Sequence, residues 1–105
     1  MKIGIDLVEI KEWASRLEQS GGAEKVFTAF ELQENKTLAS LAGIFAAKEA
    51  FMKAYGEKVD WLAVWIEKDE QGQPSLHSLL TAPGSKLSVS ISHSGDYAAA
   101  VVILN

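Results

Sequence analysis

No cysteine occurs among the 105 residues of this chain, so neither a disulfide framework nor a thiolate metal site is available to it. Histidine is nearly as scarce. His77 and His93 stand alone, and without a cysteine pair or an HExxH helix they do not make a zinc set. Arg16 is the single arginine and the formal net charge is -4, which argues against non-specific nucleic-acid binding, because such binding depends on neutralising phosphates. No apolar run approaches the roughly 20 residues of a membrane span, and Asp6 interrupts Met1-Lys2-Ile3-Gly4-Ile5 too soon for a secretory segment. The expectation is a soluble, cytoplasmic protein without membrane or nucleic-acid partners. Prolines are limited to Pro74 and Pro83, and no linker, repeat or low-complexity tract divides the chain, so residues 1–105 are expected to form one domain.

What is present describes an ordinary globular core: 48% hydrophobic and 23% charged residues, a balance that excludes disorder. Ile3, Ile5 and Leu7 alternate with Gly4, Asp6 and Val8 at the period of a strand, and Ile10, Trp13, Ala14 and Leu17 then follow helical spacing until Gly21-Gly22. Thr28-Ala29-Phe30-Glu31 has the spacing of a capping box and opens a short helix. A long helix is predicted from about Thr37 to Tyr55, ending at Gly56. Trp61–Glu67 and Ser75–His77 read as strands joined through Asp69 to Pro74. Leu87–His93 and Tyr97–Leu104 form a last hairpin turning at Ser94-Gly95-Asp96. One strand, helices, then at least four strands give an α+β fold, an antiparallel sheet packed on a long central helix. No glycine-rich loop follows a strand and opens a helix, which excludes a Rossmann or P-loop reading.

Three ionisable residues stand in odd places. Glu49 falls on one helical arc with Leu38, Leu41, Ala42, Phe45 and Met52, where a leucine would be ordinary. A carboxylate there needs compensation, and either a structural ion pair with Lys53, one turn on, or a functional role supplies it. Asp6 lies within the first strand and is a candidate to share a divalent cation with Glu49, since magnesium is commonly held by two carboxylates plus water and phosphate oxygens. His93 ends a strand on its apolar side, as a satisfied histidine or a ligand contact. Ser92, Ser94 and Asp96 do not make a hydrolase triad with it, because neighbouring strand residues point to opposite faces.

These segments together resemble the holo-acyl-carrier-protein synthase type of 4'-phosphopantetheinyl transferase. Ile3-Gly4-Ile5-Asp6-Leu7 is similar to the family's GxD strand, and Phe27-Thr28-Ala29-Phe30-Glu31 to its F-[ST]-x-x-E segment. Phe45-Ala46-Ala47-Lys48-Glu49-Ala50-Phe51-Met52-Lys53-Ala54 resembles the F-x-x-K-E-A-x-x-K-A signature. Trp65-Ile66-Glu67 through Leu76 looks like the middle hairpin, and Ser90 to Ala100 like the S-x-S-H-x-x-x-Y-A-A-A ending. The resemblance implies transfer of the phosphopantetheine arm of coenzyme A to a serine of an apo carrier protein, releasing 3',5'-ADP. It implies magnesium on Asp6 and Glu49, catalytic roles for Glu49 and Lys53, coenzyme A contacts from Lys48, Ser92 and His93, and a homotrimer. An inactive relative that binds coenzyme A or serves as an assembly subunit is the alternative.

The chain departs from that pattern at identifiable places. Glu12 stands where the family usually has an arginine used in docking the acidic carrier, and Ile44 stands where A-G-R-F has its arginine. The segment between Gly56 and Trp61 is also shorter than usual. A charge reversal at position 12 weakens steering towards an ordinary acidic carrier.

Overall fold

The computed structural model describes residues 1–105. Its elements are β1 (Lys2–Glu9), α1 (Ile10–Gln19), α2 (Ala29–Glu34), α3 (Leu38–Tyr55), β2 (Val64–Lys68), β3 (Pro74–Ser78), β4 (Leu87–Ser94) and β5 (Tyr97–Leu104). Short 3-10 turns occupy Ala23–Lys25 and Trp61–Ala63. The sheet expected as one is two: β1-β5-β4, all antiparallel, and a separate β2–β3 hairpin. Trp61 does not begin a strand, because the Asp60 carboxylate accepts from Leu62 N and winds the next three residues into a 3-10 turn.

Local chemistry places each boundary. Glu9 ends β1 and caps α1, accepting from the amides of Lys11 and Glu12. Thr28 and Glu31 form the reciprocal capping box of α2, and Thr37 accepts from Ser40 N to open α3. Gly56 closes α3 at φ 100°, a left-handed conformation that favours glycine, with its amide bonded to Met52 O at 2.8 Å.

Helix α3 is the centre of the molecule. One face meets the three-stranded sheet, and the far side meets the β2–β3 hairpin, whose Val64, Ile66 and Leu76 join the same core. The rows of the sheet that face the helix are Gly4–Val102–Val89, Asp6–Ala100–Ile91 and Val8–Ala98–His93. Small residues let the backbones close up. A Cβ on Gly4 would stand 2.0 Å from Ala50 O, and one on Gly43 would stand 2.8 Å from Ile91 Cγ2 and 3.0 Å from His93 Nε2. Asp6 therefore sits in a strand pressed directly on the helix that carries Glu49.

The apolar members of the β1 alternation point the other way. Ile3, Ile5 and Leu7 are 62%, 66% and 67% exposed, and they lie beside Ile103, Val101 and Ala99 on the outer face of the sheet. No helix of the structure is long and apolar enough to cross a membrane.

Candidate functional site

The fully buried charge of α3 is Lys48, not Glu49. The Lys48 ammonium has three acceptors, Glu31 Oε1 at 2.7 Å, Val26 O at 2.7 Å and Trp61 O at 3.1 Å, and both members of the Lys48–Glu31 pair are sealed from solvent. The second Glu31 oxygen accepts from Ile66 N at 2.8 Å. Burial lowers the proton affinity of Lys48, and the hydrogen bond and charge of Glu31 oppose that shift. The expectation that Lys48 contacts coenzyme A is thus corrected for this chain: its three N–H donors are spent inside the fold, where they tie α3 to α2 and to the turn before β2.

Glu49, half-buried, makes no salt bridge. Lys53 pairs instead with Asp6, its ammonium lying 3.1 Å from Oδ1 and 2.9 Å from Ile5 O. The i,i+4 pair considered from sequence does not form, because β1 offers a carboxylate and a carbonyl together. Burial raises the proton affinity of Glu49 most, the nearby Asp6 charge raises it further, and Lys58 and Lys53 pull it down. A half-buried carboxylate beside a second carboxylate, and short of a counter-charge, is a place where a cation is stabilising.

Both acids line a cleft of about 800 Å³ between β1, α1 and α3. Its apolar wall includes Trp13, Phe45 and Trp61. Phe45 stacks on Trp61 at 5.0 Å between centroids and meets Trp13 at 5.5 Å. No third carboxylate or histidine joins Asp6 and Glu49 to make a protein-only metal cage. Two carboxylate donors do fit magnesium, a hard cation that keeps water or phosphate oxygens in its other positions. The donor set excludes a soft metal, since no sulfur or imidazole belongs to it.

The remaining expected residues lie elsewhere. His93 faces α3, and its Nε2 donates to Ala39 O at 2.8 Å. Ser92 is exposed on the opposite face of the same sheet, so the two adjacent residues do not share a pocket within one chain. His93 lines no part of the Asp6–Glu49 cleft. Ile44 is wholly buried in the core and offers no surface for a phosphate.

Sequence reasoning missed three participants. Glu31 was legible as a capping residue but not as the partner of Lys48, a contact across 17 positions. Lys58 faces Glu49 from the short segment after α3, where no periodicity marks a lysine. Arg16 lines the cleft rim from α1 and pairs with Glu12 one turn before it.

Comparison with known proteins agrees with this geometry. Residues 2–102 match the model of the 4'-phosphopantetheinyl transferase superfamily. The chain is 41% identical to the holo-[acyl-carrier-protein] synthase of Bacillus pumilus, over 97% of this chain and 93% of that protein. It is 38% identical to that of Chlorobaculum parvum, over 99% and 97%. Among solved structures, the ACPS–CoA complex of Chronobacterium ammoniagenes superposes with a TM-score of 0.83 at 32% identity, covering 98% of this chain and 95% of that one. The holo-(acyl-carrier-protein) synthase of Bacillus anthracis in complex with CoA (3',5'-ADP) superposes with a TM-score of 0.81 at 32% identity, covering 98% and 94%. The order of elements, the acids Asp6 and Glu49 in one cleft and these matches over nearly the whole length lead to one conclusion: the chain belongs to the 4'-phosphopantetheinyl transferase superfamily and to its holo-acyl-carrier-protein synthase type.

Proposed function

We propose that this protein transfers the 4'-phosphopantetheine group of coenzyme A to a serine of an apo acyl carrier protein, with magnesium, in the cytoplasm. The observation that carries the reading is Glu49, half-buried and in no salt bridge, beside Asp6 in an open cleft. In this reading the serine oxygen forms a bond to the phosphorus that bears the pantetheine arm. The bond from that phosphorus to the 3',5'-ADP phosphate breaks, and the serine proton is taken up at the carboxylate-lined cleft. Asp6 and Glu49 would hold magnesium, which when bound would supply positive charge to offset that of the pyrophosphate. Lys53, about half exposed, has one face free to meet a phosphate oxygen as a compact positive charge while it steadies Asp6.

In this reading His93 and Ser92 contact the nucleotide end of a coenzyme A held by a neighbouring subunit, since both lie outside the Asp6–Glu49 cleft of their own chain. A homotrimer whose sites lie between subunits accounts for that separation. It also accounts for the outward Ile3, Ile5 and Leu7, an apolar face of the kind that marks an interface.

Incubation with coenzyme A, magnesium and an apo acyl carrier protein, followed by intact-mass analysis of the carrier, tests the reading. A carrier gaining the phosphopantetheinyl mass, with release of 3',5'-ADP, is the expected result. Coenzyme A binding without transfer to any of a panel of apo carriers would identify instead the inactive coenzyme-A-binding subunit.

A further inference from the structure

The four residues that follow α3 and Gly56 run back along the helix as a strap beside Glu49. At 100° per residue Phe45, Glu49, Met52 and Gly56 share an arc of about 60° on α3, with Gly56 about 16 Å along the axis from Phe45. By Trp61 the chain has returned to the Phe45 end of that arc: its ring stacks on Phe45 at 5.0 Å, and its carbonyl is held by the Lys48 ammonium at 3.1 Å. Five residue steps reach about 17 Å at most, so residues 57–60 must run nearly extended over the arc. The strap is fixed at both ends. Gly56 N is bonded to Met52 O, and the Asp60 carboxylate accepts from Leu62 N. Beneath it Met52 is buried, and Val59 packs against the core, which leaves Lys58 exposed on the strap as it passes Glu49.

Lys58 is a cation without a commitment. Lys48 is sealed with Glu31, Lys53 is tied to Asp6, and Arg16 pairs with Glu12, whereas Lys58 belongs to no ion pair. Its charge nonetheless bears on Glu49, and more strongly than that of Lys53. We propose that Lys58 binds the pyrophosphate of coenzyme A and steadies the departing phosphate, a role that deepens the transferase reading above and rests on it. Asp6, Glu49 and a pyrophosphate diester together outweigh Lys53 and a divalent cation by roughly one negative charge, which Lys58 offsets. As the serine oxygen bonds to the phosphorus of the pantetheine arm, the electron pair of the breaking P–O bond passes to the 3',5'-ADP phosphate, and the serine proton goes to the carboxylate-lined cleft. The departing phosphate gains charge at that moment. A compact ammonium on a flexible stem can swing from Glu49 to meet it while the anchored strap stays still.

Lys58→Met keeps the stem and removes the charge. With magnesium present it is expected to raise the calorimetric Kd for coenzyme A about tenfold and to lower kcat in the carrier mass assay, while the KM for the apo carrier and the melting temperature do not move. The difference from the unaltered protein should shrink as salt is added, and Lys58→Arg should bind coenzyme A within about threefold of the unaltered protein. Dephospho-coenzyme A, which keeps the pyrophosphate and lacks the 3'-phosphate, should show the same tenfold penalty. A Kd unmoved by Lys58→Met, a lower melting temperature without a change in Kd, or a penalty that vanishes with dephospho-coenzyme A overturns the proposal and leaves the transferase reading intact. Binding of coenzyme A that depends on Lys58, without transfer by the unaltered protein to any carrier, overturns the transferase reading and the role in the departing step but upholds the pyrophosphate contact; no binding of coenzyme A at all overturns both.

Discussion

Replacing Lys48 by methionine removes the ammonium and keeps much of the side-chain volume, so it isolates the value of the buried ion pair. Three consequences follow from the contacts. Glu31 keeps its bonds from Thr28 N and Ile66 N but becomes a buried carboxylate without a counter-charge. The buried carbonyl of Val26 and the part-buried carbonyl of Trp61 lose their donor. Breaking a buried pair from one side costs about 3–5 kcal/mol, and a buried polar group left unpaired about 1–3 kcal/mol, so a loss near the upper end of about 3–5 kcal/mol is expected. For a domain whose total stability is about 5–15 kcal/mol, that is a large fraction. At about 4–8 °C per kcal/mol it corresponds to a fall in melting temperature of roughly 20–40 °C. Urea unfolding followed by circular dichroism measures the loss. In the Lys48→Met background, Glu31→Gln removes the stranded charge but keeps one acceptor oxygen for two amide donors, Thr28 N and Ile66 N, so its gain is offset and the double variant is expected to lie within about 1–3 kcal/mol of Lys48→Met. A Lys48→Met loss below about 1 kcal/mol would refute the assignment of Lys48 to a sealed pair.

Glu49→Gln is expected to abolish magnesium-dependent transfer while leaving the melting temperature unchanged or raised, since it removes an uncompensated charge; calorimetric titration with magnesium and the carrier mass assay check both. Because the folded protein holds the Glu49 proton more tightly than the unfolded chain does, the stability contributed by this group is present below the ordinary carboxylate range and is lost as pH rises through the raised folded value. Melting curves across that window should show the decline without magnesium, relief of it with magnesium, and none of it in Glu49→Gln. Magnesium affinity should fall as the pH drops through the same range, because the proton and the cation compete for one carboxylate. Gly4→Ala is expected to unfold or displace β1, since its Cβ would lie 2.0 Å from one helix backbone atom and 2.8 Å from another; hydrogen exchange of the β1 amides reads this out.

Much of the fold was legible because local chemistry and pattern agreed. The capping box at Thr28, the stop at Gly56 and the hairpin turning at Gly95 each fall where the residues require. That Asp6 and Glu49 line one cleft was legible in the same sense, through a motif. The arc argument misplaced the buried charge because it assumes one buried face, whereas α3 has layers on opposite sides. A turn of 100° from Glu49 to Lys48 leads from the cleft flank into the core. The Lys53–Asp6 pair links residues 47 positions apart, beyond any local rule. Nor could alternation in β1 say which side of the strand met the helix, since a face suited to another subunit has the same apolar composition as a core face.

The strand order bears on how the site comes into being during synthesis. Asp6 is made well before β5, yet its strand is paired wholly with β5, in a register running from Lys2 opposite Leu104 to Glu9 opposite Tyr97. The first residue of α1 is also anchored from that end, by the bond from Ile10 N to Asp96 O. A ribosome-bound chain that has not yet released residues 97–104 can wind α3 and present Glu49, but β1 has no partner to fix Asp6 in place. Asp6 is held beside Glu49 only when β5 slides between β1 and β4, so until then the nascent chain lacks its paired acids, and β5 is what brings them together.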